Sequence, residues 1–108
     1  MQKNLGGMLK GINELQKRMD TVQKEIAEQV FEGNSAQGMV KVKMTGKGEI
    51  KSVAIDPSLM TEDSETLGDL VTVAAKNAYD AKEAVAKEKL SGIAKGLLPM
   101  GLKLPGLG

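Results

Sequence analysis

The side chains able to take part in chemistry here are lysines, a single arginine and carboxylates, because the 108-residue chain contains neither cysteine nor histidine. Thiolate and imidazole metal sites, cysteine nucleophiles, disulfides and Ser-His-Asp catalysis are therefore excluded. The most regular arrangement is cationic. Lys3, Lys10, Lys17 and Lys24 recur every seven residues, with Arg18 beside them. Such a row of ammonium groups has two readings. It is the solvated face of an amphipathic helix, or it follows a phosphate backbone and releases counterions as it does so. A second group consists of Lys41 and Lys43, two residues apart, with Lys47 following. The same two readings apply, but base stacking is not expected because Phe31 and Tyr79 are the only aromatic residues.

The remaining motifs carry less. Gly33 and Gly38 have the spacing of a phosphate loop, but Met39-Val40 follow where Lys-Ser/Thr is needed. Thr45-Gly46-Lys47-Gly48 lacks the third glycine of a dinucleotide fingerprint and precedes a strand pattern, so it reads as a turn. Glu62, Asp63, Glu65 and Asp69 lack the alternating spacing and central glycine of a calcium loop, and helix-start electrostatics accounts for them. Asp56 with Glu62 is the nearest approach to a catalytic carboxylate pair, and no nucleophile accompanies it. The chain therefore reads as a non-enzymatic binding module with no cofactor, metal or small-molecule substrate.

Charge is divided along the chain. The net value is only +1. Residues 1–27 hold five basic and three acidic groups. Residues 39–51 hold Lys41, Lys43, Lys47 and Lys51 against Glu49. Residues 56–70 hold five carboxylates and no base. A polyanion would meet the first two segments and avoid the third. No apolar run is long enough to span a membrane, and the N-terminus lacks the apolar core of a signal peptide, so an intracellular protein is expected.

The elements that must position these residues follow from periodicity. Leu5, Met8, Ile12, Leu15, Met19, Val22 and Ile26 alternate intervals of three and four, which predicts an amphipathic first helix about 30 Å long. Gly6, Gly7 and Gly11 weaken its start. With this seam at heptad positions a and d, the four lysines all fall at f, opposite it. Gln29–Gly33 reads as a short strand. Residues 33–38 read as a loop. Met39–Thr45 alternates apolar and polar residues as a half-buried strand does. Gly46-Lys47-Gly48 closes a hairpin, and Glu49–Ile55 forms the third strand. Its alternation slips once, which predicts a bulge near Lys51-Ser52. A second helix is expected from about Glu62 to Leu90, capped by Thr61 or Ser64. The Gly/Leu/Pro-rich residues 96–108 read as a flexible tail after one domain over 1–95.

The expected class is α+β, in the order α-β-β-β-α, with a three-stranded antiparallel sheet flanked by two long helices. Three short strands leave part of the first helix's apolar seam uncovered, and a second copy of the chain would cover it, giving a homodimer.

Leu15-Gln16-Lys17-Arg18-Met19, Gly38-Met39-Val40-Lys41-Val42 and the following Gly46-Lys47-Gly48 resemble the YbaB/EbfC family of small bacterial nucleoid-associated proteins. The resemblance continues through Val53-Ala54-Ile55-Asp56-Pro57-Ser58-Leu59, Leu67-Gly68-Asp69-Leu70-Val71 and Lys87-Glu88-Lys89-Leu90, and departs at Lys76-Asn77. It implies an intertwined homodimer in which paired sheets form a base and long helices project as arms. It also implies binding of double-stranded DNA with little sequence preference, a place in the cytoplasm at the nucleoid, and no catalytic residues. The candidate DNA-binding residues are then Lys3, Lys10, Lys17, Arg18, Lys24, Lys41, Lys43 and Lys47, with Lys10, Lys17 and Arg18 foremost. The alternative is a protein-interaction adaptor that uses the first helix's seam and the tail.

Overall fold

The computed structural model describes residues 3–97, with side chains over 6–95. The elements run α1 (Lys3–Glu28), β1 (Val30–Ser35), β2 (Val40–Thr45), β3 (Ile50–Ile55) and α2 (Ser64–Leu97), with short 3-10 turns at Ala36–Gly38 and Pro57–Thr61. The described residues fall into two compact units. One is Ile26–Val85, the sheet unit. The other is a helix-pair unit, made of residues up to Glu25 together with those from Ala86 on.

The sheet is antiparallel in the order β1-β2-β3. Along β2, Val40, Val42 and Met44 point inward while Lys41 and Lys43 point out, as the alternation requires. The core is small. Val40, Val42, Met44 and Leu59 pack with Ala74 and Ala78 of α2. Phe31 and Ile26 are buried as well. The expected bulge is present. Lys43 pairs with Ser52 and Met44 with Ile50, leaving Lys51 as the extra residue.

Glycine does two different jobs around this sheet. Gly33 is not the last residue of its strand, which continues through Asn34 to Ser35. It lies inside β1, where a Cβ would collide with the Ala74 carbonyl and the Ala78 backbone N–H. Strand and helix backbones therefore meet directly, through a small-residue stripe. Gly46 is likewise a contact point, backed against the Ile26 carbonyl, and its N–H donates to the Gln29 carbonyl at 3.0 Å. Only Gly48, at φ +89°, supplies the left-handed conformation the hairpin turn needs.

The helix–strand contact is reinforced by polar bonds. Ser35 Oγ donates to the Leu70 carbonyl at 2.6 Å. Asn77 Nδ2 donates to the Asn34 carbonyl at 2.8 Å. α2 thus runs along β1 and occupies a backbone acceptor of that edge strand. β3 has no such cover. Among the described residues no hydrogen bond reaches it beyond its ladder with β2. Val53 and Ile50 share the inner face with Val42 and Met44, yet they are 44% and 56% exposed.

α2 differs from its sequence expectation at both ends. Its N-cap is Asp63, whose Oδ1 accepts from the Thr66 N–H at 2.8 Å, not Thr61 or Ser64. Asp56 caps the preceding 3-10 turn by accepting from the Ser58 N–H at 2.9 Å. At the other end the helix passes Leu90 and continues to Leu97, because Gly92 is tolerated and Ala94 and Lys95 continue the helical run. Residues 98–108, most of the expected tail, lie outside the described residues.

Both capping carboxyls titrate below the ordinary aspartate range. Hydrogen bonds from the Ser58 backbone and side chain lower that of Asp56. Bonds from the Thr66 side chain and backbone lower that of Asp63. A carboxyl depressed in the native state stabilises it fully above the unfolded value of about 3.9, and this contribution is lost as pH falls through the native value. Asp63→Ala is accordingly expected to melt a few degrees below the parent at neutral pH, with the gap closing as pH falls through the native value of Asp63 (thermal melts by circular dichroism). A gap that persists in acid would show that Asp63 acts through something other than its charge.

Candidate nucleic-acid interface

The cationic residues are distributed over both units. On α1, Lys10, Lys17, Arg18 and Lys24 are all exposed. Lys3 is the first residue of α1, and its side chain lies outside those described. In the sheet unit Lys41 and Lys43 stand on the outer face of β2, and Lys47 is exposed in the hairpin turn. The ion pairs among the described residues are Lys82–Glu83 at 3.0 Å and Lys89–Glu25 at 3.7 Å, and neither uses a candidate cation. The seven candidates with described side chains are therefore free to meet an external anion.

Heptad spacing sets the geometry on α1. Lys10, Lys17 and Lys24 lie about 10 Å apart along the axis and together cover about 21 Å. The seam on the opposite side is buried progressively toward the helix C-terminus. Met8 is 58% and Ile12 48% exposed, Leu15, Met19 and Val22 are half-buried, and Ile26 is 7% exposed. Within the helix-pair unit, Lys17, Arg18, Thr21 and Val22 line a shallow groove with Ile93 of α2. The Thr21 hydroxyl donates to the Lys17 carbonyl at 2.9 Å on its rim. Lys17 and Arg18 thus stand beside α2, not on an isolated stripe.

Sequence reasoning missed the basic residues that α2 brings to this unit. Lys87 and Lys95 are exposed on its last turns, and Lys89 pairs with Glu25. Of the two aromatics, Phe31 is buried, and Tyr79 already holds the Lys82 ammonium 4.8 Å from its ring centroid. The acidic residues of 56–70 serve as caps where Asp56 and Asp63 stand. No group of three carboxylates among the described residues is placed to hold a metal ion. No described helix is long and apolar enough to cross a membrane.

The element order defines the class: a small α+β module whose first helix carries a row of exposed lysines. The chain belongs to the YbaB/EbfC DNA-binding family, whose model it matches over residues 1–97. Its fold is similar to that in the crystal structure of uncharacterized protein HP0035 from Helicobacter pylori. The two are 29% identical, the match covers 89% of this chain and 95% of the other, and the TM-score is 0.57.

Proposed function

We propose that the protein is a non-enzymatic, nucleoid-associated homodimer that holds double-stranded DNA through its phosphates, with little sequence preference. The observation that carries this reading is the set of unpaired cations on α1: Lys10, Lys17 and Lys24 in heptad spacing, with Arg18 beside them. Phosphate contacts position a protein without reading sequence, and a net charge of +1 predicts modest affinity that salt weakens steeply. Titrating two unrelated duplexes by fluorescence anisotropy from low to physiological salt tests it. Equal binding that falls steeply with salt supports the reading. Strong preference for one duplex defeats the claim of low specificity, and no binding at low salt defeats the claim of DNA binding.

The dimer is supported by β3 more than by the α1 seam. Ile50 and Val53 form an open apolar face next to a bare strand edge, which is an aggregation hazard unless another chain covers it. Val53→Lys is expected to convert the dimer to monomer while leaving the β2 core folded, as read by sedimentation. A variant that remains dimeric would place the interface elsewhere.

Exposed Met8, Leu9 and Ile12 favour the second reading, an adaptor that captures a protein partner along α1. Apolar capture withstands salt, so the same titration separates the two.

A further inference from the structure

The outer face of the sheet is left open. In the sheet unit α2 packs on the inner side, through Ala74 and Ala78. The opposite side carries Val30, Glu32 and Asn34 from β1, Lys41 and Lys43 from β2, and Ser52 and Ala54 from β3, all exposed, with Val30 at its end and not its centre. Small and polar side chains dominate this face, so it lacks the apolar centre that a protein partner would need.

Its chemistry is that of a phosphate ridge. Lys41 and Lys43 are two residues apart on the central strand, so their Cα atoms are about 7 Å apart. That matches the step between neighbouring phosphates on one nucleic-acid strand. Asn34 pairs in register with Lys41, and Ser52 with Lys43, so a neutral donor flanks each ammonium. Side chains of these types commonly bond phosphate oxygens. The one carboxylate, Glu32, stands opposite Lys43 in the ladder. It makes no ion pair with it, so both ammonium groups remain available.

We infer that this sheet face is a second duplex-binding surface, separate from the α1 cations, and that with both in use one protein particle bridges two duplexes. The inference rests on the duplex-binding reading above, but it concerns different residues in a different unit of the chain. Salt governs both surfaces, and each lysine engaged adds about 0.9 to the dependence of log affinity on log salt.

The test is a capture assay with the full chain. One duplex of about 30 base pairs is fixed to beads, and a second, labelled and unrelated in sequence, is offered with the protein. The variant is Lys41→Thr with Lys43→Thr. Threonine suits an exposed strand and avoids setting a new carboxylate opposite Glu32. Circular dichroism and sedimentation check that fold and assembly are retained. The expected result is that the parent retains the second duplex. In the double variant, retention of the second duplex should fall at least about fivefold further than affinity for a single duplex does. Loss of all DNA binding in the double variant would make the sheet face the principal site and displace α1 from that role. Undiminished bridging by the variant would overturn the inference. A parent that binds one duplex without retaining a second would overturn it alone, whereas a parent that binds no duplex at low salt would remove the duplex-binding reading with it.

Discussion

Replacing Lys10, Lys17 and Arg18 together by glutamate is expected to lower affinity for any duplex by at least about 100-fold near 0.1 M salt. Three lost phosphate contacts reduce the slope of log affinity against log salt by about 2.7, and three introduced carboxylates add repulsion. The substitutions suit a helix surface, because glutamate is as good a helix former as lysine and arginine. All three side chains are exposed and outside both described ion pairs. Melting temperature and sedimentation should therefore stay close to the parent's. The separation of effects is what makes the variant informative: a large change in binding with none in assembly. Unchanged affinity would remove α1 as the DNA-facing element.

The second large effect concerns stability. Gly33→Val places a branched side chain where β1 and α2 meet backbone to backbone, against the Ala74 carbonyl and the Ala78 N–H. No flexible side chain is there to move aside. The helix must lift from the strand, straining the Ser35–Leu70 and Asn34–Asn77 bonds along the same line. A loss of about 3 kcal/mol or more is expected, which lowers the melting temperature of a domain this size by roughly 12 °C or more. Gly68→Ala gives the opposite sign. That glycine is in α2 with nothing within 4 Å of the added methyl group, and alanine favours the helix by about 1 kcal/mol. If both variants melt with the parent, α2 does not pack on β1 at this stripe.

Periodicity made α1 and the hairpin legible. A 3-4 spacing over seven apolar residues leaves little choice of element. The Val40-Lys41-Val42-Lys43-Met44 alternation and the slip near Lys51 pointed to the paired strands and their bulge. Features that depend on distant partners were not legible. Gly33 reads as the point where strand gives way to loop because its reason for being glycine stands 41 and 45 positions away, at Ala74 and Ala78. The end of α2 was placed early, at Leu90, because glycine propensity is a local quantity, whereas Ile93 is held in the helix-pair unit beside Val22. That early end also hid Lys95 from the candidate site, whereas Lys87 and Lys89 lay within the expected helix but joined the first helix's unit only in the fold. The cap fell to Asp63 and not to its hydroxyl neighbours because an N-cap is set by the register of the first turn, which composition leaves ambiguous by a residue or two. Ile50 and Val53 are apolar residues of the third strand, and only the packing of α2 on the other two strands leaves them uncovered.

The graded burial along α1 has a consequence for how the protein comes apart. Hydrogen-bonded turns near Ile26 are anchored in packed surroundings, while those near Met8 and Ile12 rest on little but their own backbone. The helix therefore opens from its N-terminal end in small steps, each far easier than global unfolding, and amide exchange quickens residue by residue from Ile26 toward Lys10. Lys10, the first cation with a described side chain from that end, is then held in place only part of the time. A bound polyanion would have to order those turns, so part of its binding energy would go to forming helix, and affinity would fall on warming as the free helix end opens further.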